Sequence, residues 1–369
     1  MKNYSYFYKK FIAMKYTRAI RQALSATLLL VALTAVAQKQ KYMAACVAFY
    51  NIENLFDTIK AQYTNDYDFL PDGPYKWNTE KYHHKLNTIA SVVRQIGADV
   101  TPAGPALLGV CEIENRAVLE DLVATPPLDV MGYDIAYHPS PDARGVGVAL
   151  LYQKNRFRVL GTRSALVVIP NMPDFRTRNQ LVVTGVLDGV DTLHVVVMHW
   201  PSKRGGEKRS APLRDGAAKL CRSIVDSLYA ANPNAKIILM GDLNDSPNST
   251  SVLKVLGART TPEKTEKNGI FNPAYKLFKD GIGSYYWNDS PEILDQIMVS
   301  YPLLGKDYSS YKFLRYRIFN ADFLVQKDGR YKGYPWRTFS GTTFIGGYSD
   351  HFPTYILLIR NAPEQAEQQ

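Results

Sequence analysis

The stretch IILMGDLND occupies residues 237–245. Its first four residues are apolar and predict a buried strand, which Gly241 ends. Asp242, Asn244 and Asp245 follow at the carboxyl end of that strand. Carboxylates at the mouth of an apolar strand are costly to bury unless they bind a cation or take part in chemistry. An Asp- and Asn-rich turn would explain one such pattern, but the pattern recurs along this chain.

Similar polar clusters flank five further apolar segments. They follow residues 44–50, 106–111 and 192–198, lie within 293–299, and precede 352–359. We therefore expect a single site where these strand ends meet. The polar residues of the clusters are Asn51, Glu53 and Asn54; Glu112, Glu114 and Asn115; His199, Ser202, Lys203 and Arg204; Asp295 and Gln296; and Ser349, Asp350 and His351.

The apolar segments are short and frequent, and several are continuous runs, as in strands that are covered on both faces. Helical spacing of apolar residues predicts one helix from Asn78 and another from Ser210. Segments 258–290 and 302–347 are rich in Tyr, Lys, Arg and Gly, and they predict long loops or small hairpins near the site. Many strands and few helices favour an α/β fold in which sheets pack face to face and helices cover the outside.

Residues 1–37 have the order of a secretory signal peptide. Six cations and no acidic residue precede an apolar stretch at 23–36, which ends in the small-x-small sequence Ala35-Val36-Ala37. Met14 is an alternative start. Because a membrane span needs ~20 apolar residues, we expect cleavage and no integral membrane segment afterwards. The prediction is an exported protein, periplasmic or extracellular, with a catalytic domain at 38–362 and a disordered tail at 363–369.

The charge of the mature chain is only mildly basic. The formal net charge of +10 counts 44 Lys and Arg against 34 Asp and Glu. Removing the six cations of the signal segment leaves 38 against 34, or +4. This balance is compatible with a nucleic-acid partner and does not require one.

The candidate ligands are carboxylates, amides and two histidines. The cysteines, Cys46, Cys111 and Cys221, are odd in number and lack zinc spacing, so they predict buried free thiols. Hard oxygen ligands select Mg²⁺ or Mn²⁺, with Ca²⁺ as a further choice, over zinc. A hard cation with a His–Asp couple fits phosphoester hydrolysis: the cation stabilises charge on oxygen, a carboxylate orients or activates water, and an acid assists the leaving group.

Six segments, taken in chain order, carry a resemblance to a known family. They are YNIENLFD (50–57), GVCEIEN (109–115), MHWPSKRGG (198–206), GDLND (241–245), LDQIMV (294–299) and YSDHFP (348–353). They resemble the motifs of the endonuclease/exonuclease/phosphatase superfamily, of the secreted bacterial, DNase I-like type. This superfamily includes deoxyribonucleases, abasic-site endonucleases, sphingomyelinases and inositol-polyphosphate 5-phosphatases. Each motif is weak alone, but six in family order are specific. The resemblance implies a four-layer α/β sandwich, two packed mixed β-sheets flanked by helices.

The resemblance also implies which residues bind the metal. Glu112 matches the principal metal ligand, and Asn51 and Asp350 are expected close to it. Glu53 and Asn54 recur in motifs of the YNIENLFD type and are expected to shape the loop.

The same resemblance implies the catalytic set. Asp242 matches the residue that orients or deprotonates the attacking water, and Asn244 matches a contact to the phosphate. His351 with Asp295 matches the His–Asp pair at the scissile phosphate. His199 matches a second histidine that contacts phosphate and assists proton transfer, although no acidic partner for it is evident in the sequence. Which histidine or aspartate is the general base stays open.

Three cations are candidates to bind the substrate. Lys203 and Arg204 directly follow His199 and suit backbone phosphates. Arg144 either reaches the phosphate or is a surface charge. Aromatic residues of the two Tyr-rich segments are candidates to stack on bases, hold a membrane surface or a sugar ring, or pack internally. They include Tyr285, Tyr286, Trp287, Tyr331, Tyr334 and Trp336.

These observations predict a secreted, metal-dependent phosphodiester hydrolase, a monomer that acts as an endonuclease on DNA or RNA. One alternative is a phosphatase or a sphingomyelinase-like phospholipid phosphodiesterase. An alternative of another class is a catalytically inactive binding protein on the same fold, because a fold alone does not establish activity. The complete set of candidate residues argues against that last alternative.

Overall fold

The computed structural model describes residues 14–17, 41–169 and 172–363. The chain forms two units, Met43–Arg360 and a second made of Met1–Tyr42 with Asn361–Gln369. In the second unit, residues 14–17 are helical, and the Ala362 N–H donates to the Lys41 carbonyl (2.8 Å). The predicted signal peptide at 1–37 and tail at 363–369 lie largely outside the described residues, so the predicted domain boundaries stay predictions.

The described chain is rich in β-structure. In chain order its strands are β1 (Tyr42–Leu55), β2 (Leu107–Ile113), β3 (Tyr133–Tyr137), β4 (Gly147–Gln153), β5 (Phe157–Ala165), β6 (Gln180–Leu187), β7 (Asp191–His199), β8 (Lys236–Asp242), β9 (Ile270–Phe271), β10 (Tyr285–Trp287), β11 (Ser290–Glu292), β12 (Asp295–Ser300), β13 (Lys312–Ile318), β14 (Phe339–Ser340), β15 (Thr343–Phe344) and β16 (Thr354–Asn361).

Within Met43–Arg360 the α-helices are α1 (Thr79–Val93), α2 (Arg116–Ala124), α3 (Glu207–Ala231) and α4 (Ala274–Lys279). Shorter helical turns lie at Tyr67–Phe69, Ser251–Val255, Pro262–Lys264, Tyr301–Leu303 and Asp322–Leu324. Helix α1 begins as the sequence predicts, because the Asn78 side chain accepts the Lys81 N–H (3.0 Å) and caps it. Helix α3 begins at Glu207, three residues before the predicted Ser210.

The strands form two six-stranded sheets in the described part of the chain. Their orders are β13-β16-β1-β2-β4-β3 and β5-β6-β7-β8-β12-β9, and β10–β11 and β14–β15 are separate hairpins. Both large sheets are mixed. Strand β1 is parallel to β2 and β7 is parallel to β8, whereas β12 is antiparallel to β8.

The two sheets pack face to face, and helices cover their outer faces. Side chains of β1 alternate: Val47 and Phe49 pack between the sheets, and Ala48 and Tyr50 pack under α1 and α2. Helix α3 covers the second sheet, where Cys221 joins the third buried cluster. Because both faces of β1 are covered, it reads as a continuous apolar run. The predicted four-layer α/β sandwich is therefore confirmed.

Strand register brings Asp242, in the stretch 237–245, next to two other candidate residues. His199 lies beside Asp242 in the parallel β7–β8 pair, and Asp295 lies opposite Asp242 in the antiparallel β8–β12 pair. Gly241 allows this close pairing, because a Cβ there would lie 2.1 Å from the Met198 carbonyl oxygen. Three candidate side chains therefore form one row across three strands.

The prediction of loops or small hairpins for 302–347 is wrong in part. Residues 312–318 form β13, an edge strand of the first sheet, antiparallel to β16. The other edge strands were also not predicted as strands. β3 and β5 lie outside the predicted apolar strand segments, and β9 lies within 258–290, where loops or small hairpins were predicted. Edge strands have one unpaired side and greater contact with water, so their sequences lack the continuous apolar run of a central strand.

The helices within the described ranges are too short or too polar to cross a membrane.

Candidate active site

An open cavity of about 750 Å³ lies where the carboxyl ends of β2, β7 and β8 meet. Nine of the eleven predicted site residues line it, and the remaining two, Asn51 and Asp295, lie directly behind. The nine are Glu112, Arg144, His199, Lys203, Arg204, Asp242, Asn244, Asp350 and His351.

His351 and Asp295 form a buried pair at the base of this cavity. The Nδ1–H of His351 donates to Asp295 Oδ2 (2.7 Å), and the same oxygen accepts the Ser284 hydroxyl (2.6 Å). Burial opposes a positive charge on His351, but Asp295 outweighs it and raises the pKa of His351 well above its usual value. Asp295 therefore favours the protonated imidazole, whose Nε2 faces the cavity 3.9 Å from Asp242 Oδ2 and 3.9 Å from Asp350 Oδ1.

Asp242 sits between the two histidines. Its Oδ1 accepts the Asn244 N–H (2.8 Å), and its Oδ2 accepts the Asn51 side-chain amide (3.1 Å). Burial raises the pKa of Asp242 to about 7, although the nearby His351 opposes that rise. A carboxylate with a pKa near neutral can take a proton from water at physiological pH. The Asn244 amide donates to the Trp200 carbonyl (3.0 Å), which leaves its second hydrogen for a ligand.

His199 is electrostatically the opposite of His351. Its Nε2 lies 3.6 Å from Asp242 Oδ2 and 3.9 Å from Glu112 Oε1, while its buried Nδ1 has no hydrogen-bond partner among the described residues. Burial, followed by the charges of Arg178 and Arg144, lowers the pKa of His199 well below its usual value. His199 is therefore neutral and suits hydrogen bonding more than acid catalysis. The sequence shows no acidic partner for this histidine, and the structure corrects that expectation at Nε2, where the carboxylates of Asp242 and Glu112 lie.

Glu112 occupies a strained position. It has φ of +61°, and it interrupts the pairing of β2 with β4 at a bulge. A second bulge in β1 contains Glu53 and Asn54, also left-handed, and the Asn54 N–H donates to Glu112 Oε2 (3.1 Å). Such strain outside glycine is concentrated at functional sites. The bulges turn the Glu112 carboxylate into the cavity, and Glu53 and Asn54 lie in a bulge of strand β1 and not in the expected loop.

The donor set suits a hard cation. Glu112, Asp242 and Asp350 present carboxylates to one cavity, and Asn51 lies behind Asp242. Ligand atoms of Asp242 also lie within 4.8 Å of those of His199 and Cys111. Burial raises the pKa of the Cys111 thiol well above its usual value, so it stays protonated and is a poor ligand. Oxygen ligands favour Mg²⁺, Mn²⁺ or Ca²⁺.

The predicted substrate cations are present, with one addition. Lys203 pairs with Glu292 (3.0 Å), and Arg144 lies loosely beside Asp142 (3.9 Å). Arg178, which we did not predict, also lines the cavity and donates to the Trp200 carbonyl (2.6 Å). It precedes β6, whose first residues lie at the site because β6 is antiparallel to β7. Examining the starts of antiparallel strands as well as strand ends could have found it.

Three other supporting residues carry little sequence signal. Ser284 bonds to Asp295, and the Tyr285 ring lies 4.7 Å from that of His351. Arg337 donates to Asp350 (3.1 Å) from within the segment predicted as loop. No motif includes Ser284 or Arg337, and the Tyr285 partner His351 is distant in sequence, so only the fold reveals the contacts.

Comparison with known proteins agrees with this geometry. The model of the endonuclease/exonuclease/phosphatase family matches residues 46–360, and the chain belongs to that family. No curated protein matches. As a member of this family, the protein is a phosphoester hydrolase.

Solved structures share the fold at low identity. One is an endonuclease/exonuclease/phosphatase family protein from Bacteroides thetaiotaomicron, with 16% identity, coverage of 87% of this chain and 99% of that one, and a TM-score of 0.52. Another is a mannosyl-6-phosphatase from the same species, with 16% identity, coverage of 85% and 99%, and a TM-score of 0.51. A third is D. rerio TDP2 complexed with a single-stranded DNA product, with 13% identity, coverage of 85% and 98%, and a TM-score of 0.50.

Proposed function

We propose that this protein is an exported, metal-dependent phosphodiester hydrolase that cleaves DNA or RNA. One observation carries the proposal: the buried Asp242, His351 and Asp295 cluster forms the base of a cavity whose walls hold four cationic side chains. The cluster supplies proton transfer and a fixed positive charge at one phosphate. The cations, Arg144, Arg178, Lys203 and Arg204, suit the phosphates of a polyanion.

We assign the metal to Glu112, with Asn51 and Asp350 as further ligands and Mg²⁺ or Mn²⁺ as the ion. When bound, the ion supplies charge stabilisation at the phosphate oxygens. Asp242 orients the attacking water and accepts its proton, because its raised pKa makes it a stronger base than an ordinary carboxylate.

The two histidines have different tasks in this mechanism. Cationic His351, held by Asp295 at Nδ1, donates from Nε2 to a phosphoryl oxygen as negative charge develops there. Neutral His199 lies on the other side of Asp242 and offers its Nε2–H as a further hydrogen-bond donor. Asn244 adds a neutral donor to the phosphate.

The first experiment is hydrolysis of bis-p-nitrophenyl phosphate with Mg²⁺ or Mn²⁺, with and without EDTA. We expect turnover that EDTA abolishes and that Glu112→Ala and His351→Ala each lower by at least about 10²-fold. Glu120→Ala is the matched control, because Glu120 is an exposed carboxylate on α2. Metal-independent turnover would refute the proposed metal dependence. Wild-type inactivity with all metals would refute the phosphodiesterase proposal and leave the phosphatase and the inactive binding protein as the alternatives.

A second candidate function is a phosphatase acting on a sugar phosphate. Glu292 lines one wall of the cavity and neutralises Lys203, which suits sugar hydroxyl groups better than a second phosphate. The mannosyl-6-phosphatase noted above shares the fold. A screen of plasmid DNA, single-stranded RNA, mannose 6-phosphate and sphingomyelin separates the candidates. Preferred hydrolysis of the sugar phosphate would displace the nuclease proposal.

Export rests on the sequence of residues 1–37. Expression of the full chain in a bacterial host, followed by fractionation and mass analysis of the mature amino terminus, tests it. We expect cleavage after Ala37 and recovery outside the cytoplasm. Recovery of uncleaved protein in the cytoplasm would contradict export without affecting the chemistry.

A further inference from the structure

We infer that the β10–β11 hairpin forms a stacking subsite for a nucleobase of the substrate, with Trp287 as its contact residue. The inference rests on the proposed nuclease function and specifies how that site holds its substrate. Trp287 is 60% exposed, yet it lines the catalytic cavity. A single exposed aromatic residue does not by itself indicate a binding site. The position in which the hairpin holds Trp287 is the stronger observation.

The hairpin points alternate side chains in opposite directions. Tyr285 and Trp287 line the cavity, whereas Tyr286 between them packs against the first-sheet core and lies 5.0 Å from the Tyr334 ring. This follows the two-residue period of a strand. Of the aromatic residues suggested by sequence for stacking, Tyr285 and Trp287 are therefore the pair that the hairpin presents to the cavity.

The hairpin is held in place before any substrate binds. Its turn residues, Asn288 and Asp289, have φ of +46° and +63°, as a tight two-residue hairpin turn requires. The Asp289 N–H and carboxylate both bond to the Tyr334 hydroxyl (2.7 Å each). Glu292 on the returning strand pairs with Lys203 across the cavity wall (3.0 Å). A fixed aromatic ring loses little freedom on binding, which favours affinity.

The positions of Tyr285 and Trp287 relative to His351 indicate which part of the substrate would reach Trp287. Tyr285 lies against His351 with ring centroids 4.7 Å apart. Trp287 is two residues further along the same strand face, so it lies farther from the catalytic pair. A group attached to the phosphate at His351 would extend toward that ring.

The cationic neighbours favour a base over a sugar. Aromatic rings interleaved with cations are the pattern by which proteins hold successive bases and phosphates of single-stranded nucleic acid. Arg144 and Arg204 line the cavity in addition to the groups that a single phosphate needs, whereas Arg178 already pairs with the Asp142 carboxylate (3.2 Å). A hexose monophosphate offers one phosphate and would leave this positive charge unused.

The test measures kcat/KM with Mg²⁺ for two kinds of dinucleotide substrate: one with both bases, and its two abasic analogues, each of which lacks the base on one side of the scissile phosphate. Base–aromatic stacking contributes ~1–3 kcal/mol, which corresponds to about 5-fold to 150-fold. We expect Trp287→Ala to lower kcat/KM by about 5-fold to 150-fold for the dinucleotide with both bases. For the abasic analogue that lacks the stacked base, we expect the same substitution to lower kcat/KM by under about 2-fold. Trp287→Phe should keep most of the activity.

Tyr301→Ala is the matched control. Tyr301 is 41% exposed and follows β12 at the end opposite Asp295, roughly 20 Å away along the strand. Its truncation should leave kcat/KM unchanged for both substrates.

Several results would overturn the stacking subsite while the nuclease proposal stands. One is an equal effect of Trp287→Ala on intact and abasic dinucleotides. Another is an effect confined to mannose 6-phosphate, which would place a sugar on this ring. If wild type cleaves neither dinucleotide, the nuclease proposal fails, and calorimetric binding of adenosine monophosphate tests the subsite independently. Affinity at least about 5-fold weaker in Trp287→Ala would support it, and equal affinity or no binding to wild type would refute it.

Discussion

Two partly buried cation–carboxylate pairs lie at opposite ends of the sandwich. At the end away from the cavity, Arg156 contacts Asp188 at 3.0 and 2.6 Å, and the Tyr311 hydroxyl adds a further bond to Asp188. At the cavity end, Lys85 lies 3.8 Å from Glu53. Both pairs join distant parts of the chain, but they differ in how well their charges are satisfied.

The pKa shifts record that difference. Burial would raise the pKa of Asp188, but the hydrogen bonds from Arg156 and Tyr311 hold it below its usual value. At the cavity end, burial raises the pKa of Glu53 to about 7, and burial lowers the pKa of Lys85. Charged groups are therefore stabilised at one end and destabilised at the other. Destabilised charge is common where catalysis needs groups that exchange protons near neutral pH.

The strongest test of this contrast is Asp242→Asn. The substitution removes the proposed proton acceptor, so we expect kcat/KM to fall by about 10³-fold or more. It also removes a buried carboxylate whose pKa is raised, so the free energy of unfolding should increase. Activity and denaturant unfolding are measured on the same preparation, without metal in the unfolding experiment. A variant that loses activity and stability together would show that Asp242 supports the fold instead.

The complementary change is Arg156→Met at the far end. It leaves the partly buried Asp188 charge without its main partner, so the cost should lie between the ~1 kcal/mol of an exposed pair and the ~3–5 kcal/mol of a fully buried one. We expect unfolding at lower denaturant concentration with unchanged kcat/KM for the folded enzyme. Arg222, which pairs with the exposed Asp226 on α3, gives the control Arg222→Met, with an expected loss below about 1 kcal/mol. Loss of activity in folded Arg156→Met would contradict the separation of the two ends.

A smaller effect is expected from Lys85→Met, which examines how the weaker pair supports the site. The Lys85 ammonium is fully buried and donates to Thr338 Oγ1 (2.5 Å) and to the Tyr348 carbonyl (2.7 Å). Tyr348 is two residues before Asp350, so Lys85 positions the segment with this proposed ligand. Loss of such support typically weakens metal affinity or activity by about 10–100-fold.

Activity as a function of Mn²⁺ concentration measures this effect. We expect half-maximal activity at higher Mn²⁺ in Lys85→Met, with recovery of much of kcat at saturating metal. Lys219→Met, on the exposed face of α3, is the control. An unchanged Mn²⁺ dependence with lower stability would give Lys85 a structural role alone.

The sequence allowed the centre of each sheet and the polar ends of its strands to be predicted, because burial on both faces leaves a continuous apolar run. The edge strand β13 escaped prediction because its side chains alternate between partial burial and exposure. The site residues in motifs were found, but Arg178 and Lys85 were not. Their role depends on contacts with Trp200 and Tyr348, which lie close only after folding.

The pH dependence of stability gives the finest comparison of the two ends. An Asp in an unfolded chain titrates at about 3.9, whereas folded Asp242 titrates at about 7. Between these values the folded state binds more protons than the unfolded state, so the contribution of Asp242 to stability falls as pH rises. The stability contribution of Asp188 changes with pH in the opposite direction. Because its pKa is lowered in the folded state, Asp188 stabilises the fold above about pH 4, and this stabilisation is lost as pH falls below that value.

Denaturant unfolding in EDTA at pH values from 4 to 8 separates these contributions. The stability advantage of Asp242→Asn over wild type should be near zero at pH 4, grow through the window, and level off above pH 7 at a value on the order of 1–3 kcal/mol. The disadvantage of Arg156→Met should stay nearly constant from pH 5 to 8, because Asp188 is ionised in both states there. Parallel pH profiles for the two variants would contradict the contrast, since they would mean that both ends hold their carboxylates equally well.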